Sequence, residues 1–535
     1  EDWDLDRIPK EEAGVYDMLC RADSIGVFQV ESRAQMGTLP RLQPRRFYDL
    51  VVEIALIRPG PIQGGAVHPY IRRKLGKEPV HYQHPLLEPV LERTLGVPLF
   101  QEQLMQVAMA VGGCGPEEAD QLRRAMGSKR GVERISALKE KLYAGMATNG
   151  IEGELADDIY GKIEAFANFG FAESHSISFA LLVYASSWIK LHYPAAFLAA
   201  LLRAQPMGFY SPQSLTADAR RHGVEVRRPD IQISLPHPTL EPTDTSVIEP
   251  VEMTGTATSL LVEGIKQATG MDSCLNRTQA PVGDFDRTAP DLTAEHRRDG
   301  GFTVRLGLAD ITGIGQSTAE RIVAARDAGG EFLDLVDLAR RVGLSSAQLE
   351  ALAAVGAFDS MGLDRREALW QAGSAAQEKA SYLSGTSVTV QPPLLPMLSE
   401  GEQVVSDLWG LGLSPEDHPM RHVRDQLAAR GVLSAAQLRE AEPDRRIEVG
   451  GVVIHRQRPA TAGGVTFLNL EDETGVVNII CTVGVWNRYR RIARGAPAMI
   501  IRGILERSPE GVTNVIADRF EALQVNGKVA VRNFR

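Results

Sequence analysis

The chain is poor in cysteine. Cys20, Cys114, Cys274 and Cys481 lie far apart, with no C-x-x-C pair. This argues against a disulfide framework or a cysteine-rich zinc site and fits reduced thiols in a cytosolic protein. Long apolar runs are missing too. Phe179–Ile189 is the most apolar stretch, but Tyr184, Ser186 and Ser187 interrupt it and Lys190 ends it, short of the roughly 20 residues a membrane helix needs. The opening residues Glu1-Asp2-Trp3-Asp4-Leu5-Asp6 are acidic, with no signal-peptide core. The lack of an initiator Met there implies a cut end at residue 1. There is no excess of positive charge. The net charge of −10 argues against a histone-like binder, although a local basic cluster suffices for phosphate contacts. No short-period repeat is visible.

What remains is an ordinary globular composition, 44% hydrophobic and 24% charged over 535 residues, enough for several domains of about 100–200 residues. Residues 1–205 read as one α-rich domain: apolar residues recur at helical spacing through Leu87–Leu95, Leu104–Val111 and Leu155–Phe166. Residues 206–237 read as a helix–strand connector, with Gly223 just past the helix end. Residues 238–300 are rich in Thr, Pro, Asp and Gly and read as a partly ordered insertion. Helical periodicity returns over 301–375. A linker at 376–402 and short helices at 403–446 follow. From 447 to 535 the pattern alternates with period two, and a helix at Val485–Ala493 separates the third and fourth of five strands. That order predicts an OB-type barrel. The expected fold is therefore multidomain and mainly α, with a C-terminal β-barrel.

Several stretches suit phosphate or nucleic acid. Arg123, Arg124, Lys129 and Arg130 lie close together, with Arg134 beyond and only Glu133 opposing. On a helix, Arg123 and Arg124 would point about 100° apart and could reach two oxyanions; a solvated charged face is the plain alternative. Arg58-Pro59-Gly60-Pro61-Ile62-Gln63-Gly64-Gly65 could cradle a phosphate on free backbone amides or be an ordinary loop. In Phe169–Phe179, Ser174 is a candidate N-cap that would put His175 in a first helical turn; a packed histidine is the alternative. Leu308–Ile322 matches a helix–hairpin–helix. Gly313 and Gly315 permit the turn and Ala319 permits close helix approach; the amides of such hairpins usually face DNA phosphates, and a plain structural unit is the alternative. In the OB segment, Phe467, Trp486 and Tyr489 accompany Arg456, Arg458, Arg488, Arg490 and Arg491, a mix suited to stacked bases and a phosphate groove. Core packing suits Trp486 and Tyr489 equally well. Asp2, Asp4 and Asp6 fail as an EF-hand, because Arg7 and Ala13 stand where Gly and Glu are required.

The blocks Ile25–Ser32, Ile57–Gln63, Leu99–Gln103, Leu122–Gly127, Phe169–Phe171 with Ser174–Ser176, and Tyr193–Phe197 occur in one order, with the hairpin and barrel after them. In this the chain resembles the C-terminal portion of the bacterial C-family DNA polymerases, the polymerase III α subunits and their paralogues. The resemblance implies that residues 1–205 are the end of the palm and the fingers, and that the activity is template-directed nucleotidyl transfer with Mg²⁺. Nucleotide contacts would come from Arg123, Arg124, Lys129, His175 and Ser176. DNA contacts would come from Gly313, Ile314, Gly315, Arg456 and Arg458. The metal-holding aspartates are expected upstream of residue 1, so no catalytic or metal residue is expected here and the isolated piece should be inactive. Pro229-Asp230-Ile231-Gln232 lacks the second acid of the family's paired-aspartate motif.

Three departures resemble the error-prone, damage-induced branch: Glu173 where the replicative form has Lys, the stop at Arg535 soon after the barrel, and Gln391–Leu395 as a poor clamp-binding peptide. Expected partners are primer–template DNA, deoxynucleoside triphosphates and, through accessory mutasome proteins, the sliding clamp, with no membrane. The alternatives are a replicative α subunit or a non-catalytic DNA-binding fragment. A hairpin-plus-OB ligase would need K-x-D-G, which does not occur.

Overall fold

The computed structural model describes residues 7–58, 67–125, 135–165, 171–243, 282–377, 396–459, 462–525 and 532–534. They form two compact units, residues 1–191 with 273–293 and residues 192–272 with 294–535.

The first unit is helical. Helices α1 (Ala13–Cys20), α2 (Arg33–Leu42) and α3 (Phe47–Leu56) bury Val15, Tyr16, Leu19, Leu39, Leu50 and Ile54 against one another. Helix α4 (Val67–Lys74) sends the Lys74 ammonium to buried Asp49 at 2.6 Å. Helices α5 (Gln101–Ala110), α6 (Pro116–Ala125), α7 (Lys139–Thr148) and α8 (Glu154–Ala165) enclose a separate core around Leu104, Leu122, Leu142 and Ile159. The long α9 (Glu173–His192) completes the unit. Residues 282–293 fall inside the expected insertion, yet part of this stretch is held on this unit. Arg45 donates to the Gly283 carbonyl at 2.6 Å, and Arg21 donates to the Ala289 and Pro290 carbonyls.

The second unit begins with α10 (Pro194–Arg203) and α11 (Pro212–Arg221). Gly223 follows α11 with φ +76°, as its place past the helix end requires. Strands β1 (Val226–Arg227), β2 (Thr239–Pro242) and β3 (Phe302–Arg305) form a sheet in the order β1-β3-β2. The expected boundaries at 237/238 and 300/301 therefore cut through one sheet. The apolar island at 259–265 lies outside the described residues. Helices α12 (Gln316–Gly329), α13 (Leu335–Val342), α14 (Ser346–Ala354), α15 (Arg365–Ala375) and α16 (Glu400–Gly410) follow. Asp407 of α16 is fully buried and takes Arg228 at 2.5 Å and Arg365 at 2.8 Å, which ties the sheet to the helices.

The barrel consists of β4 (Arg446–Gln457), β5 (Thr466–Asp472), β6 (Gly475–Cys481), β7 (Ala498–Arg507) and β8 (Thr513–Ala522), with β9 (Arg532–Phe534) at one edge. The ladder runs β5-β6-β8-β7-β4, and the β4–β5 pairing closes it. Irregularities at Val453/His455 and Arg502/Gly503 bend the strands. A Cβ on Gly503 would collide with the Ile516 carbonyl, so only glycine fits that approach. Between β6 and β7 stand α17 (Val483–Arg488) and α18 (Arg490–Gly495), in place of the single helix expected at 485–493.

Candidate nucleotide and nucleic-acid interfaces

Arg123 and Arg124 occupy the last turn of α6, exposed at 41% and 70% of their side chains. They do not stand apart as their angular separation suggests. Asp120, three and four residues earlier, receives Arg123 Nε and Nη2 on Oδ1 at 3.0 and 2.7 Å and Arg124 Nε on Oδ2 at 2.8 Å. One carboxylate thus gathers both guanidinia, and their hydrogen bonds keep its pKa below the usual range. Lys129, Arg130 and Arg134 lie outside the described residues.

Helix α9 begins at Glu173, so Ser174 is not its N-cap. The Glu102 carboxylate accepts the Glu173 N–H at 3.0 Å, and Gln101 N–H donates to the Phe171 carbonyl at 3.0 Å. The blocks at 99–103 and 171–176 are thereby joined. Glu173 accepts from Tyr48 at 2.7 Å and lies 3.6 Å from Arg93. His175 is exposed and sits in a row of rings, 5.4 Å from Phe171 and 4.2 Å from Phe179, with Phe28 a further 5.4 Å beyond. Arg58 closes the row, its guanidinium 3.7 Å over Phe171, and burial brings its pKa down to about 10. Ser176 departs from the expected nucleotide role. It is fully buried and donates to the Val51 carbonyl at 2.6 Å, so it pins α9 to α3. Among the described residues, no hydrogen bond, ion pair or ring contact joins Arg123 or Arg124 to His175.

The hairpin follows a single 3-10 turn, Leu308–Asp310. Gly313 has φ +93°, which only glycine adopts freely. Gly315 has φ −72° and open space around a Cβ, so its glycine is not required for the turn. Ile314 is buried and its amide donates to the Ile311 carbonyl at 2.9 Å, so it anchors the hairpin to the core instead of touching DNA. Ala319 is fully buried, as close helix packing requires. Gly315 caps α12 without a side-chain acceptor, and Gly315, Gln316 and Ser317 are exposed. First-turn amides in that state are suited to a phosphate.

In the barrel, Arg456 is buried. Its Nε donates to the Ala493 carbonyl at 2.8 Å and its Nη2 to the Ala496 carbonyl at 2.5 Å, fastening the end of α18. Arg456 is a structural clasp, contrary to its expected DNA contact, whereas Arg458 is exposed. Trp486 and Tyr489 pack on the barrel core, Tyr489 lying 5.8 Å from Phe520.

Asp230 accepts from Gln232 N–H at 2.8 Å and from the Ser360 hydroxyl at 2.8 Å, so it is spent on a turn. Glu400, Asp417 and His422 come together, but His422 already bonds Asp417 at 2.7 Å and Arg421 stands 3.7 Å from the same carboxyl group. Asp2, Asp4 and Asp6 lie outside the described residues.

Residues 1–150 match the bacterial DNA polymerase III alpha subunit finger domain, and residues 223–368 match a helix-hairpin-helix motif. An error-prone DNA polymerase from Cutibacterium acnes is 58% identical over 100% of this chain and 46% of its own length. Along its whole length the chain is thus similar to part of a protein named for error-prone DNA polymerase activity. Error-prone DNA polymerases from Nocardia farcinica and Mycolicibacterium paratuberculosis are 52% and 51% identical, each over 99% of the chain and over 42% and 44% of their own lengths. The chain thus spans about half the length of the curated relatives it matches. Among solved structures, asparaginyl-tRNA synthetase from Pyrococcus horikoshii aligns over 18% of this chain and 24% of its own at 19% identity, with a TM-score of 0.16, and nothing rests on that likeness. Among the described residues, no helix is long and apolar enough to cross a membrane.

Sequence reasoning missed Asp120, although a carboxylate three and four residues before two arginines on a helix is a recognisable pairing. It also missed the Glu102 cap and the Arg58–Phe171 stack, which join segments far apart in sequence.

Proposed function

We propose that this chain supplies the nucleotide-gripping and DNA-holding parts of an error-prone DNA-directed DNA polymerase. The observation that carries the reading is the match, at 58% identity along the whole chain, to a protein named for that activity. In nucleotidyl transfer the primer 3′ hydroxyl attacks the α-phosphorus of a deoxynucleoside triphosphate and pyrophosphate leaves. Divalent metal, Mg²⁺ in this reading, would activate the hydroxyl and offset the developing charge. Exposed Arg123 and Arg124 would neutralise the triphosphate, with Lys129 beside them. His175 would border the nucleotide through its ring, because Ser176 has no free hydroxyl to offer. The hairpin around Gly313 and Gly315 would hold duplex phosphates, and exposed Arg458 would meet single-stranded template at the barrel. The sliding clamp, reached through accessory proteins, a role in damage-induced synthesis and a cytoplasmic location follow from the family resemblance alone.

Primer extension across a lesion tests the reading. The full-length protein should extend a primer past template damage with Mg²⁺ and all four nucleotides. The purified 535-residue chain, in which Pro229-Asp230-Ile231-Gln232 lacks the second acid of the family's paired-aspartate motif, should not extend it. Lack of extension by the full-length protein would count against the activity, and extension by the chain alone would return attention to Asp2, Asp4 and Asp6.

A further inference from the structure

Among the described residues, the Trp409 indole makes no hydrogen bond or ring contact. It stands in the last turn of α16, 64% exposed, while Trp188 is only 1% exposed. A single exposed apolar side chain is ordinary by itself. Its attachment is not. The Thr312 amide donates to the Gly410 carbonyl at 2.7 Å, and the Thr312 hydroxyl donates to the Trp409 carbonyl at 3.4 Å. The end of α16 is therefore hydrogen-bonded directly to the first residue of the Thr312-Gly313-Ile314-Gly315 turn. The joint has little room to shift, because a Cβ on Gly410 would collide with Val355 at the end of α14. Thr312, Gly313, Gly315, Gln316 and Ser317 are exposed beside it.

We infer that Trp409 is a second duplex-DNA contact, set in the minor groove next to the phosphate received by the hairpin. The inference rests on the proposed DNA role of that hairpin. Backbone amides on a phosphate fix position without reading sequence. An indole suits the neighbouring groove for the same purpose. Its flat face can pack on deoxyribose, and its one N–H can donate to the purine N3 or pyrimidine O2 acceptor that every base pair presents on the groove floor. The contact would add grip without sequence preference, as a polymerase moving along its product requires.

Anisotropy titrations of a labelled blunt duplex with the 535-residue chain test this. Trp409→Ala should weaken binding roughly tenfold, as loss of one buried apolar side chain does, and Trp409→Phe should keep most of the affinity. Trp370→Ala, which removes another exposed tryptophan at 49%, should leave affinity unchanged. Duplex should also quench tryptophan emission more in the wild type than in Trp409→Phe. Wild-type affinity in Trp409→Ala, alongside weakened binding in Gly313→Val, would overturn the tryptophan contact and leave the hairpin reading standing. Wild-type affinity in Gly313→Val would overturn the hairpin reading, and this inference with it.

Discussion

At the residue scale, the functional reading depends on which side chains are free. In the proposed role, Asp120 would compete with a triphosphate for Arg123 and Arg124. Asp120→Asn should therefore lower the KM for nucleotide in the full-length polymerase, by a few-fold at most for an exposed ion pair. A raised KM would mean that Asp120 holds the arginines in their working geometry. Ser176→Ala should lower thermal stability by about 1 kcal/mol through loss of the bond to Val51 and leave nucleotide KM unchanged. A KM change without a stability change would return Ser176 to the pocket. Glu471 gives a pH signature. It is fully buried on β5, accepts from Ser214 at 2.9 Å, and lies 3.9 Å from Arg221 with Asp218 and Asp472 nearby. Burial outweighs Arg221 and the Ser214 bond and raises its pKa to about 7. Unfolded, it ionises at the ordinary carboxylate value of about 4.3. Its contribution is therefore fully present below that value and is lost as pH rises through about 7. Denaturant unfolding from about pH 5 to about pH 8 should show this decline in the wild type and a flatter profile in Glu471→Gln. Parallel profiles would contradict it.

At the element scale, the hairpin and the barrel answer to different substitutions. Gly313→Val forces a β-branched residue to φ +93° and should disrupt the hairpin, weakening duplex binding in a salt-sensitive way. Gly315→Ala meets open space and should fold normally. Duplex binding that survives a disrupted hairpin would make the hairpin purely structural. The barrel strands were legible in sequence because alternation is a local signal. The helix–hairpin–helix was legible because its glycines mark a turn. The sheet of β1, β2 and β3 was not legible. It joins residues 226–227, 239–242 and 302–305, and pairing across such a separation leaves no periodicity to read. Arg456 misled for a related reason: its sequence neighbourhood looks basic and exposed, but the carbonyls it clasps come from α18 and the segment after it. Ser176 and Ile314 likewise lie within motifs that point outward while their side chains point into the core.

At the scale of the whole molecule, the two units divide the proposed labour. The first carries Arg123 and Arg124, proposed to meet the nucleotide, and the ring row around His175. The second carries the hairpin, Trp409 and the barrel. The blocks of family resemblance singled out Arg123, Arg124 and His175, but neither the ring row around His175 nor Trp409 was legible in them, and the structure separates exposed groups from those engaged in packing. The most direct test of the account is single-nucleotide insertion kinetics of the full-length polymerase with Arg123→Ala and Arg124→Ala combined. Each charge-assisted contact is worth roughly 1.5–3 kcal/mol. The account predicts a nucleotide KM raised at least about tenfold with primer–template affinity unchanged. A wild-type KM in the double variant would contradict it.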